Sequence, residues 1–269
     1  MRKMKLEPAV RKAFTLTELL VVLAVVALLA LVAGKALAHS QTSSDRSVCA
    51  SNLRRLMQAW QMYADDYSGA LMANPSPPVA NYLSWIRGVL DFSPATADNV
   101  NTSYLTSTQY AAMGFYVKSP ALFRCPADLS TVIRSGVPYL RVRSYSMNSY
   151  VGLGGSAWSL GFQVMTNMSQ VPQPDRTFVL LEEHPDSLND GAFISDPARV
   201  GASATWIDFP AYFHLGGANL GMADGHVEYW QWADARTMPP ITFTGTLGNV
   251  GVPSDPDVAR LQKVTSYRP

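Results

Sequence analysis

The chain has 269 residues, 48% of them hydrophobic and only 15% charged, which excludes a disordered protein and leaves room for one substantial core. Its formal net charge of +1 is uneven: the first thirteen residues hold five basic side chains and one acid, and without them sixteen basic residues face nineteen acidic ones. Only Lys35, Lys118 and Lys263 remain as lysines beyond that leader, so no basic stripe able to track a phosphate backbone is present and no nucleic-acid partner is expected.

Arg2, Lys3, Lys5, Arg11 and Lys12 precede a mostly apolar stretch from Phe14 to Ala38, within which Leu19 to Ala33 is only Leu, Val and Ala. As a helix it would be roughly 37 Å long against a hydrocarbon core of about 30 Å, enough to span a bilayer. The basic flank predicts an amino terminus in the cytoplasm and the long remainder outside. Two accounts fit. One is a secretory signal ending at Ala36-Leu37-Ala38, with the mature chain starting at His39 as a periplasmic binding or catalytic domain. The other turns on Glu18, a carboxylate at the head of the apolar run, which is expensive in a membrane unless compensated. Cleavage between Ala13 and Phe14 would expose an amine four residues earlier, one helical turn away on the same face.

The run Lys12-Ala13-Phe14-Thr15-Leu16-Thr17-Glu18-Leu19-Leu20-Val21-Val22 resembles the prepilin-type cleavage and methylation motif of type IV pilins and type II secretion pseudopilins. It departs at Ala13, where that family usually has Gly, and at Thr17, where Ile is common. The resemblance implies that prepilin peptidase cuts after Ala13, that Phe14 becomes the N-methylated first residue, and that Glu18 sets subunit register. It implies further a single-pass protein of the bacterial inner membrane with an extracytoplasmic head. Its partners would be other pilin or pseudopilin subunits and the inner-membrane assembly platform, in a pilus or pseudopilus of the cell envelope.

Beyond the apolar run, Cys49, Leu53, Leu56, Trp60, Tyr63 and Tyr67 recur at steps of four and three and predict one face of an amphipathic helix ending at Ser68-Gly69. By themselves the polar residues between His39 and Ser47 also allow two helices and a linker; the pilin resemblance implies one continuous rod from about Phe14 to Tyr67. The expected division is therefore a leader at 1–13, a membrane and assembly helix at 14–38, its extracytoplasmic half at 39–69, and a head at 70–269. The head reads as antiparallel, β-rich and loop-heavy, giving an α+β, pilin-like fold. Apolar segments at Tyr82 to Leu90, Thr177 to Leu181 and Gly225 to Trp232 are strand candidates. Asp224-Gly225 predicts a two-residue type I′ hairpin turn, with Val227, Tyr229 and Gln231 on one face of its second arm and His226, Glu228, Trp230 and Trp232 on the other. The tail from Met238 reads as peripheral apart from a short helix near Asp257 to Val264.

Five further pieces lie behind the helix motif: Cys49-x-x-Asn52-Leu53-Arg54, Met62 to Tyr67, Phe123-Arg124-Cys125-Pro126-Ala127-Asp128, Ser144 to Asn148, and Phe213-His214 to Asn219 leading into Asp224-Gly225-His226-Val227. In order and spacing they resemble the pseudopilin group named for its H-X9-DG element, here His214, nine residues, then Asp224-Gly225.

Candidate ligand types are His214, Asp224 and His226, with His184 and Glu182-Glu183 nearby in sequence. If the intervening chain is extended, ten steps of about 3.3 Å put His214 and Asp224 roughly 30 Å apart, too far for one ion unless Gly216-Gly217 bends it. The expected reading is backbone turns at the glycines and a packed His214, with calcium held by loop carboxylates as the lesser alternative. Cys49 and Cys125 are the only cysteines, and outside the cytoplasm an even pair favours a disulfide tying the helix to the head, against two buried thiols. No G-x-S-x-G, H-E-x-x-H or P-loop pattern occurs, and the chain is expected not to be an enzyme.

Overall fold

The computed structural model describes residues 16–76, 83–155 and 160–269, with the side chains of 30–43 outside the description. Helix α1 runs Leu16–Asp66 without interruption, α2 covers Ser103–Thr106 and α3 Pro256–Gln262. The strands are β1 Thr131–Arg134, β2 Val137–Leu140, β3 Tyr145–Asn148, β4 Phe178–Glu182, β5 Ala192–Phe193, β6 Thr205–Trp206, β7 Gly217–Met222, β8 Val227–Gln231 and β9 Val250–Gly251. The fold is thus α+β, a long helix at the amino-terminal end of the described chain followed by small antiparallel and mixed sheets.

Two compact units divide the chain, residues 1–41 and 42–269. In the first, the apolar side chains from Leu16 to Leu29 stand half or more exposed, Leu16 most of all at 74%. Among the described residues no helix is long and apolar enough to cross a membrane. The run expected to do so continues past Leu29 into the side chains outside the description.

In the second unit the expected helix face forms. Cys49, Leu53, Leu56 and Trp60 are buried together with Met57, Ala59 and Ala64, while Tyr67 is half exposed and stacks on Tyr63 at 4.3 Å. The Gly69 amide closes the helix on the Ala64 carbonyl at 2.7 Å, with Ser68 and Gly69 both at positive φ, a Schellman-type end. This face packs on a five-stranded sheet ordered β5-β3-β4-β7-β8, antiparallel except for the β3–β5 pair. One core fills the helix side of the sheet, with Leu53, Met57, Trp60, Met147, Val179 and Leu180. A second core contains Phe178, Leu181, Leu220, Trp206, Trp230 and Trp232. Both faces of the central strand β4 are covered, so it is apolar up to Glu182 rather than alternating, and a register shift between Phe178 and Leu180 accompanies Val179 and Leu180 both packing in the helix-side core.

Three expectations need correction. The hairpin joining β7 to β8 forms, but its turn holds three residues: Gly225 N–H bonds the Met222 carbonyl at 2.8 Å, Met222 N–H bonds His226 at 2.9 Å, and of Asp224 and Gly225 only the glycine has positive φ. That is a type I turn with a glycine bulge, and the extra residue buries Ala223 completely. Leu83 to Leu90 carries no strand beyond an isolated bridge at Ser84; it lies as irregular chain with Trp85 and Ile86 buried. The tail is integral rather than peripheral. Asp255 caps α3 through the amides of Asp257 and Val258, Pro256 starts it, and Val258 and Leu261, one turn apart, fill the second core.

Candidate functional site

Ala13 and Phe14 lie outside the described residues, so the expected cleavage and methylation point has no structural description here. Glu18 is exposed in the first turn of α1, where the helix dipole favours an anion, and the exposed apolar surface follows it directly.

His214 and Asp224 sit at opposite ends of β7, which alone spans about 17 Å, and the bend the glycines provide falls outside that strand, at Leu215 and Gly216, both at positive φ. The set His214, Asp224, His226 is therefore not assembled. His226 instead bridges its own hairpin: Nδ1 pairs with Asp224 Oδ1 at 2.6 Å and Nε2 with Glu228 Oε1 at 3.1 Å. Partial burial opposes its charge, but these two carboxylates prevail and raise its pKa.

His214 meets different partners. Cys49 from α1, Cys125 from the turn after Phe123, Glu182 from the end of β4 and His214 from the loop before β7 bring one donor atom each within 4.8 Å of one another, all four fully buried. His214 Nε2 lies 3.0 Å from Glu182 Oε1 and 3.3 Å from Cys125 Sγ; Cys49 Sγ contacts Glu182 Oε1 and lies 2.7 Å from the Tyr145 hydroxyl. The cysteines are free thiols in the structure rather than the expected bridge, with Cys49 Sγ also against Glu182 and Cys125 Sγ also against His214. Among the described residues no other three or more His, Cys, Asp and Glu side chains converge in this way, and two sulfurs make this one a poor calcium site.

The surroundings fix each member. Glu182 Oε2 accepts from the Asn219 backbone amide at 2.6 Å, leaving Oε1 for the cluster. Ser144 Oγ accepts from the Cys125 amide at 3.0 Å and donates to Asp128 at 2.6 Å, which holds the cysteine turn in place. The Tyr229 hydroxyl donates to the His214 carbonyl at 2.5 Å, and Asn52 donates to the Arg124 carbonyl at 3.3 Å. Burial, then the hydrogen bond to Cys125 and the Glu182 charge, hold the Cys49 thiol far above its ordinary range. Burial works against a charged His214, but its bonds to Cys125 and Glu182 outweigh it and raise the imidazole to about 10.

The sequence pattern paired the cysteines with each other and read His214 as a hydrogen-bonded packing residue, and so separated residues the fold unites. The signal was present in the motif pieces themselves: Cys49, Cys125, Tyr145, His214 and Asn219 each come from one of them, and all meet here. Glu182 closes an otherwise apolar strand and is fully buried, and a carboxylate out of water requires a partner.

The cluster is not arranged as a nucleophile, base and orienting acid. Cys125 and Glu182 address the same His214 nitrogen, Nδ1 has no hydrogen-bond partner among the described residues, and all four side chains are closed to solvent.

No curated protein and no solved structure matches the chain. Among family models the match is to the prokaryotic N-terminal methylation motif, over residues 9–34, and it does not reach the H-X9-DG element, whose likeness rests on its own residues. The chain therefore carries, at the head of its long helix, the N-terminal methylation motif characteristic of type IV pilins and pseudopilins.

Proposed function

We propose that this protein is a structural, non-enzymatic subunit of a pilin-like filament. Prepilin peptidase cuts after Ala13, Phe14 is methylated, and the apolar half of α1 anchors the chain in the bacterial inner membrane with the head extracytoplasmic. An assembly platform then moves it into a pilus or pseudopilus beside other pilin-type subunits. The observation that carries this reading is the juxtaposition, inside the matched motif, of Glu18 in the first helical turn with a sleeve of exposed Leu and Val side chains. Such a sleeve needs lipid or neighbouring helices to cover it. The carboxylate at its head offers a partner to a freed amine, its own or a neighbour's, and so sets axial register. The unbroken backbone of α1 through Ala38 and His39 favours this reading over a signal peptide cut there, which would sever the helix in its middle.

Replacing Glu18 with Ala tests the register role. Processing at Ala13 should persist while incorporation into sheared filament fractions falls at least tenfold; normal incorporation would overturn it.

A further inference from the structure

We propose that Cys49, Cys125, Glu182 and His214 bind one zinc ion, and that this ion pins α1 to the centre of the sheet. Four donor atoms from four separate chain segments face one another in a closed interior. Two thiolates, an imidazole and a carboxylate are the ligand types of a borderline-soft divalent ion, and four protein ligands with no open position make a structural rather than a catalytic site. Tetrahedral zinc with bonds of about 2.0 to 2.3 Å separates its ligand atoms by roughly 3.3 to 3.8 Å. His214 Nε2 lies 3.0 Å from Glu182 Oε1 and 3.3 Å from Cys125 Sγ, near that range, whereas Cys49 Sγ and Glu182 Oε1 stand closer than it allows and would part to admit the ion; no pair of donors exceeds 4.8 Å.

The outer contacts suit the same assignment. Asn219 holds Glu182 Oε2, which presents Oε1 alone, as a monodentate ligand requires. Two thiolates and a carboxylate around a divalent ion leave one net negative charge. The Asn219 amide on Glu182 donates hydrogen to it, and the Tyr145 hydroxyl, 2.7 Å from Cys49 Sγ, is placed to do so. Without a metal ion the four side chains share protons among themselves out of water; a divalent ion takes the place of those protons and binds all four. Because residues 49, 125, 182 and 214 come together only in the folded chain, zinc binding would contribute directly to folding.

The test uses the full chain, purified in detergent under reducing conditions without chelator, with metals quantified by plasma mass spectrometry. Zinc at about one ion per chain is expected, as a single four-ligand site requires. Cobalt exchanged into the same protein should give the intense visible bands of tetrahedral coordination and a thiolate charge-transfer band, a readout that depends on no variant. Cys125→Ser and His214→Gln should each lower zinc content at least fivefold, while Asp224→Asn, at the far end of β7, should leave it unchanged. A wild-type chain free of zinc, one holding iron or copper in its place, a Cys49–Cys125 disulfide by mass analysis of chain recovered without reductant, or a cobalt spectrum without the thiolate band would each overturn the proposal. Metal content is read whether or not the leader is processed, so failure here leaves the filament reading untouched.

Discussion

Gly225 of the hairpin and Gln61 of α1 meet so closely that a Cβ on the glycine would come within 2.6 Å of Gln61 Oε1, while Gln61 Nε2 donates to the adjoining Ala223 carbonyl at 3.3 Å. The Asp-Gly turn is thus a docking point for the helix as well as a reversal of the chain. Gly221, four residues earlier within β7, repeats the approach, and a Cβ there would meet Met57 Cγ at 2.5 Å.

Gly225→Ala should destabilise the head by about 1–2 kcal/mol, the cost of a left-handed conformation for an L side chain, since φ there is +93°. Gln61 is flexible, so adding Gln61→Ala should recover only the smaller, steric share. Equilibrium denaturation of single and double variants reads both. Full recovery in the double variant would place the whole cost in the contact rather than the backbone.

Burial on α1 predicts a sharp contrast between neighbouring turns. Leu53→Ala, at a fully buried position, should cost about 2–5 kcal/mol. Met62→Ala, at a residue 53% exposed, should stay within about 0.5 kcal/mol. Equal losses by chemical denaturation would mean that this helix face does not pack as described.

Much of this was legible beforehand because it follows from periodicity. The helix face, its end at Gly69, strand β4, and the alternation along β8 and on to Trp232, Val227 and Tyr229 against Trp230 and Trp232, all follow from spacing. Val227 packs in the helix-side core and the Arg46 guanidinium of α1 covers the Tyr229 ring at 4.8 Å, while both tryptophans fill the other core. The three-residue turn was not legible, because Asp-Gly serves both turn types and the choice depends on burying Ala223 in the tertiary fold. Nor was the role of the tail, since Pro, Gly and Thr mark loops without saying whether two spaced apolar residues find a core. The Cys, Glu and His cluster has donors spread over more than 160 positions, and only the topology of β4 and β7 beneath α1 unites them.

The tail yields its own prediction. Asp255 Oδ1 accepts from the amides of Asp257 at 2.8 Å and Val258 at 3.2 Å, so Asp255→Ala should cost about 0.5–2 kcal/mol, and Asp255→Asn or Ser should restore most of it. No loss in thermal melting would mean that α3 contributes little, as a peripheral segment would.

Asp208 makes stability depend on pH. Burial is the main cause that pushes its carboxyl up to about 7; the Ile194 amide opposes the shift and the Asp190 charge adds to it. In the unfolded chain the same group ionises near 3.8, so between the two values the folded state keeps a proton that the unfolded state has released. Its contribution is complete below the unfolded value and is lost as pH rises through about 7. Asp208→Asn, which keeps an acceptor for Ile194, should flatten the denaturation midpoint across that window. Superimposable profiles for variant and wild type would contradict the assignment.

The filament account rests on where the mature chain begins, and intact-mass and amino-terminal sequencing of the protein recovered from cell envelopes reads that directly. The account predicts a chain starting at Phe14 with one added methyl group on its amine. A chain starting at His39 would have lost the whole exposed apolar sleeve together with Glu18, and would contradict it.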